Sequence, residues 1–219
     1  MLFPIALALA AQAAEPPKTG LTAAARTIVK SDPSTYDLAG FRLGMSEADV
    51  EAILKTRGLK VARAQRVADF GTQVANLANQ RGASVRQASR SVLGSADIDD
   101  GQGGRVVLKL LTWPDAARVS SITYLPPRGT QADRWKSMLV EKYGPAADGG
   151  GRVDAEGFHA SWCGQASCLG GVGVFLLSAE VGNAGGSVHL RQPDGSSRRV
   201  KALIEAAADT RAPRHSPSL

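Results

Sequence analysis

Four scarcities narrow what this chain can be. Cysteine occurs only as Cys163 and Cys168, and with the nearby His159 they make at most three of the four ligands that tetrahedral zinc requires. Histidine occurs only as His159, His189 and His215, and nucleophilic hydrolysis would need one of them beside a Ser or Cys and an orienting carboxylate. Aromatic residues make up 5% of the chain, so a core must rest on Val, Leu, Ile and Ala around a few large anchors, Trp113, Trp135 and Trp162 foremost. No apolar run approaches the about 20 residues of a membrane-spanning helix, so no membrane span is expected.

What is present begins with an uncharged apolar stretch from Met1 to Ala11, followed by Ala11-Gln12-Ala13 with small residues where a signal peptidase reads, then Glu15-Pro16-Pro17. This predicts a signal peptide over 1–13 cut near Ala13, and a periplasmic or secreted protein. The stretch has no Lys or Arg ahead of it, which departs from the usual pattern; the alternative is a buried apolar helix. No cysteine stands directly after the apolar run, so no lipid anchor is expected. The remainder, at 43% hydrophobic overall, has the composition of a packed globule.

Net charge is +6, unevenly spread. Lys55, Arg57, Lys60, Arg63, Arg66, Arg81, Arg86 and Arg90 crowd a segment whose only acid is Asp69. Contact with an anionic surface is one reading, and a solvated helix face the other. Nucleic acid is not expected as a partner, because Phe70 alone in this stretch could stack on a base.

After a flexible leader over 14–35, local signals become strong. Ser46 followed by Asp49 predicts a capping box, Met45 with Val50 a hydrophobic staple, Val50-Ile53-Leu54 an apolar stripe, and Gly58-Leu59 a left-handed C-cap. Val67, Phe70, Val74 and Leu77 predict a second helix ending near Gly82. Ser84 to Leu93 reads equally as strand or helix. Arg105–Trp113 and Ala117–Leu125 flank Pro114-Asp115 as a hairpin, preceded by the acidic, glycine-rich loop Asp97–Gly104.

The scheme then restarts. Thr130 with Asp133 repeats the cap, Trp135-Met138-Leu139 the stripe, and Gly144-Pro145 the stop. Gly157–Cys163, Val172–Val181 and Ser187–Arg191 read as strands, and Ser197–Ala208 as a last helix before a disordered tail over 209–219. The expected class is α+β, with two tandem units over 36–128 and 129–208, each of one or two helices packed on an antiparallel sheet.

Gly44-Met45-Ser46 with Val50, and Lys142-Tyr143-Gly144-Pro145 ending a later helix, resemble the signatures of small envelope proteins of the SmpA/OmlA type and of the β-lactamase-inhibitor-like fold. That resemblance implies two helices on one face of an antiparallel sheet, a unit that some members carry twice, and protein recognition in the cell envelope rather than catalysis. In the lipoproteins of that group the two signals bracket one helix and a lipidated Cys opens the chain. Neither holds here, so their role in outer-membrane assembly is not carried over.

Cys163 and Cys168 read as a disulfide in an exported protein, with free or redox thiols and zinc as alternatives. His159, Ser161 and Asp154 form the nearest thing to a hydrolytic set, without a Gly-x-Ser-x-Gly elbow. Asp97, Asp99 and Asp100 lack the closing Glu of a calcium loop, and Asp154 with Glu156 lacks any surrounding sugar cleft. The glycine clusters at 101–104 and 170–173 lack a dinucleotide fingerprint and read as turns. No metal and no cofactor is expected. Trp113, Tyr124 and Trp162, with Arg81, Arg86 and Arg90, are the candidate interaction residues for an envelope protein partner. A small-molecule or lipid pocket between helices and sheet is the alternative, and a hydrolase the next.

Overall fold

The computed structural model describes residues 32–129, 131–147, 151–165, 167–168, 173–182 and 184–212. The expected signal peptide, the leader up to residue 31, Thr130 of the second cap and the tail from 213 onward lie outside these. Among the described residues a 3₁₀ turn at Pro33–Thr35 comes first, followed by β1 (Asp37–Leu38), β2 (Phe41–Arg42), α1 (Glu47–Arg57), β3 (Lys60–Ala68), α2 (Phe70–Gln80), β4 (Ser91–Asp99), β5 (Arg105–Thr112) and β6 (Ala117–Leu125). Then come α3 (Ala132–Tyr143), β7 (Arg152–Val153), β8 (Phe158–Trp162), β9 (Leu176–Gly182), β10 (Gly185–Arg191) and α4 (Gly195–Asp209).

The fold class is α+β. The small hairpin β1–β2 stands apart, and the other strands form one antiparallel sheet in the order β3-β4-β5-β6-β10-β9-β8-β7. Strands from the segments 36–128 and 129–208 thus share a single sheet, joined where β6 pairs with β10, Tyr124 opposite Val188 and Ser121 opposite Arg191. On one face, called inner here, alternate residues are sealed: Ile98, Val106, Leu108, Ile122, Leu177, Val188 and Leu190 are each 1% exposed or less. Against them pack Phe41 of β2, Val50 of α1, and Trp135, Leu139 and Tyr143 of α3. Burying side chains of this size supplies about 1.5–3 kcal/mol each, which makes this layer the main source of stability.

Helices α1 and α2 each have a legible cause. Ser46 Oγ accepts from the Asp49 N–H at 3.2 Å and the Asp49 carboxylate accepts from the Ser46 N–H at 2.8 Å, the expected capping box. Gly58 ends α1 at φ 61°, and the Leu59 N–H returns to the Leu54 carbonyl at 3.0 Å. The Gly44-Met45-Ser46 segment lies along the start of β6, with Gly44 N–H donating to Val119 O and Val119 N–H to Met45 O, both at 2.8 Å. That docking fixes where α1 begins. Asp69 caps α2 by accepting from the Thr72 N–H at 2.7 Å, and α2 pairs with α4 in a second, smaller core of Val74, Ala78, Ala208 and Ala212.

Two expectations are corrected and one open stretch is resolved. Val67 belongs to strand β3 rather than to the second helix, because Asp69 starts α2 two residues later. Met138, placed in the apolar stripe of α3, is 45% exposed, while its neighbours Trp135 and Leu139 are buried. The undecided stretch 84–93 divides into an irregular connection up to Arg90 and β4 from Ser91.

An aromatic chain ties the N-terminal hairpin to the far half of the sheet. The Tyr36 and Tyr143 rings stand 4.5 Å apart and the Tyr143 and Trp162 rings 6.1 Å apart. Trp162 Nε1–H donates to the Gly144 carbonyl at 2.9 Å, and the Tyr143 hydroxyl donates to the Asp37 carbonyl. Just after β8, Cys163 and Cys168 form a disulfide with Cα atoms 5.7 Å apart. No described helix is long and apolar enough to cross a membrane.

Candidate recognition surface

The other face of the sheet, the outer face, presents a different set. Reading across the strands in register, Arg63 stands opposite Asp97, Asp97 opposite Val107, Val107 opposite Thr123, Thr123 opposite His189, His189 opposite Ser178 and Ser178 opposite Ser161. With strands about 4.8 Å apart, this row runs about 29 Å. A parallel row places Ser95, Lys109, Ser121 and Arg191 side by side. A third begins with Asp99 and Arg105, whose charged groups are 3.9 Å apart, and resumes on the far half with Glu180, His159 and Arg152. None of these residues is buried. Helix α4 lies against β5, with Leu111, Val200 and Ile204 lining one cleft between them, and this covers one margin of the face.

His189 is the most perturbed group here. Burial, reinforced by the cations Arg191 and Lys109, lowers its pKa below the ordinary histidine value, so the ring is held neutral. Its Nε2 is enclosed with no hydrogen-bond partner among the described residues. No sequence signal marks His189, because one side of its surroundings comes from β6, where Thr123 stands opposite it from far earlier in the chain.

The residues singled out from sequence are distributed differently. Trp113 sits at the β5–β6 turn, half-buried, with the Arg199 guanidinium of α4 5.8 Å above its ring. Tyr124 points to the inner face, where its hydroxyl donates to Asp100 at 2.7 Å and its ring lies 5.7 Å from that of Trp135. Trp162 is 3% exposed and belongs to the core. Thus none of the three aromatic candidates lies on the outer face. Arg81 pairs with Asp209 at 2.6 Å and joins α2 to α4, while Arg86 and Arg90 are exposed on the connection to β4. The basic segment is not one helix surface: Lys55 and Arg57 are exposed on the last turn of α1, while Lys60, Arg63 and Arg66 fall on the edge strand β3, where Arg66 pairs with Glu47 at 2.8 Å.

The hydrolytic set does not assemble. His159 Nε2 is 3.4 Å from Asp154, but Ser161 lies two residues along the same strand face, about 7 Å away, and no hydrogen bond joins it to His159. Asp154 is instead committed to the β7–β8 turn, where it accepts from the Glu156 and Gly157 N–H groups at 3.1 and 3.2 Å and pairs with Arg152. Asp97 and Asp99 point to the outer face, whereas Asp100 is held by Tyr124. Among the described residues no group of three His, Cys, Asp or Glu side chains is placed to hold a metal ion.

Comparison of the chain with family models, with curated proteins and with solved structures returns no match.

Proposed function

We propose that this is a non-catalytic recognition protein of an extracytoplasmic compartment, which binds another protein through the outer face of its sheet. The observation that carries the reading is the row from Arg63 to Ser161: in register across seven strands, all but Val107 of β5 bring a side chain able to donate or accept a hydrogen bond, and none is buried, whereas the inner face holds most of the core. A surface of mixed charge and hydroxyls suits a folded polar partner better than a lipid or a nucleic acid. The disulfide supports an oxidising location.

The test is affinity capture from envelope extracts with the full chain and with Thr123→Arg and Ser178→Arg, which place bulk in the middle of the row. A partner held by the unaltered protein and released by both variants is the expected result. Capture of no protein, or retention of every captured protein by both variants, would reject the reading.

A further inference from the structure

On the helix-covered side, where the C-terminus of α1, helix α3 and the β4–β5 turn meet, there is a cavity of about 440 Å³. Leu38, Pro127, Met138 and Leu139 give it apolar walls, and Tyr124 and Trp135 add two aromatic rings. Arg57, Arg134 and Lys142 bring three cations to the lining against a single carboxylate, Asp100. That carboxylate is already occupied: Oδ2 accepts from the Tyr124 hydroxyl at 2.7 Å, and Oδ1 from the Gln102 and Gly104 N–H groups at 2.7 and 2.9 Å. Gly104 makes this possible, since a Cβ there would stand 2.3 Å from Asp100 Oδ2 and 2.6 Å from the Tyr124 hydroxyl. Lys142 is engaged with Asp37 at 2.8 Å, and Arg57 donates to the Ala39 carbonyl. Arg134 is exposed, with no acid partner among the described residues.

A second, independent observation comes from Trp135. Its side chain is 6% exposed and its Nε1–H is enclosed without a hydrogen-bond partner among the described residues. The other buried indole on this face, Trp162, donates to the Gly144 carbonyl. Buried donors are nearly always paired, so an unpaired indole N–H in a side chain that also lines a cationic cavity points to an acceptor brought by something that binds there. The exposed, flexible Met138 at the same mouth offers an apolar contact that can adjust to its occupant.

We infer that this cavity binds a small amphipathic anion, an apolar acyl or aromatic body carrying one anionic head. The body packs against Met138, Leu139 and the rings of Tyr124 and Trp135; the head lies between Arg134 and Arg57, and one of its oxygens accepts from the Trp135 N–H. The site lies on the opposite side of the sheet from the proposed partner surface, so either can fail without the other.

The test titrates the full chain with 8-anilinonaphthalene-1-sulfonate, followed by dye fluorescence, with decanoate and decylammonium as competitors. One site is expected, emptied by decanoate and indifferent to decylammonium. Arg134→Glu should weaken the dye at least tenfold and Trp135→Phe about tenfold, whereas Lys201→Glu, on α4, should leave it within twofold. Thermal unfolding of each variant checks that the fold is kept; should Trp135→Phe unfold, Arg134→Glu decides. Unchanged affinity in Arg134→Glu, equal competition by decylammonium, or an equal loss in Lys201→Glu would overturn the assignment.

Discussion

Along β10 the two faces of the sheet can be compared residue by residue. Val188 and Leu190 are fully sealed beneath the helices, while His189 and Arg191, their immediate neighbours, are only half-buried and carry the polar groups of the outer row. The same alternation runs through β5 and β9, and through β4 and β6 with one interruption each where an extra residue breaks the register. One face holds the molecule together, and the other is left free of that duty. Substitutions should therefore act on stability on one side and on binding on the other, and the experiments below test how clean that division is.

The largest effect should come from the inner face. Leu190→Ala opens a cavity in a site with no exposure and should cost about 2–5 kcal/mol in urea unfolding, while Thr123→Ala, beside it on the outer face, should stay within about 0.5 kcal/mol. Comparable losses at both positions would break the comparison. Next is the Cys163–Cys168 bridge at the margin of the sheet, whose replacement by a pair of alanines should cost about 2 kcal/mol, read from the same unfolding curves with a thiol count of zero in the unaltered protein.

A smaller effect divides two tryptophans on the inner face itself. Trp162→Phe and Trp135→Phe both lose ring volume, but only the first abandons a hydrogen bond, to Gly144, so it should cost about 1 kcal/mol more. Equal costs would mean that Trp135 has a partner after all. The smallest effect is a pH dependence from the outer face. With its folded pKa held below 6.5, His189 binds fewer protons in the folded than in the unfolded state, so its contribution is intact above pH 6.5 and is lost as the pH falls through the folded value. His189→Gln should flatten that slope without altering unfolding at pH 8. Below pH 3.8 a separate loss should follow. Asp37 and Asp100 are pushed up by burial, but Lys142 beside one and hydrogen bonds from Tyr124, Gln102 and Gly104 to the other outweigh it, holding both carboxyls low.

What could be read in advance follows the range of the interactions involved. The box at Ser46 and Asp49, the stop at Gly58 and the hairpin around Pro114 are local, and each is where the spacing predicts. Strand β3 was missed because Lys60 to Arg66 is exposed on both faces and so has no apolar alternation to signal a strand, while its Ala and Arg content favours a helix. Trp113, Tyr124 and Trp162 were chosen for side-chain type alone, and type cannot tell which face of a strand an aromatic ring will take. The joining of β6 to β10, which places Thr123 beside His189, and the unpaired indole of Trp135 depend on segments distant in sequence, and no motif in the chain announces either.

The β6–β10 seam also bears on how the chain is made. Strands β3 to β6 follow one another as an antiparallel series and can pair while synthesis continues, but the free edge of β6 waits for β10, the last of the described strands to emerge. At the outer edge, β3 has two register shifts and three cations that discourage pairing with other chains. Beyond Arg118, β6 has no charge and no proline with which to do the same. A chain arrested before Gly185 would therefore present an unguarded edge, which makes the interval before β10 arrives the vulnerable period in the life of this molecule.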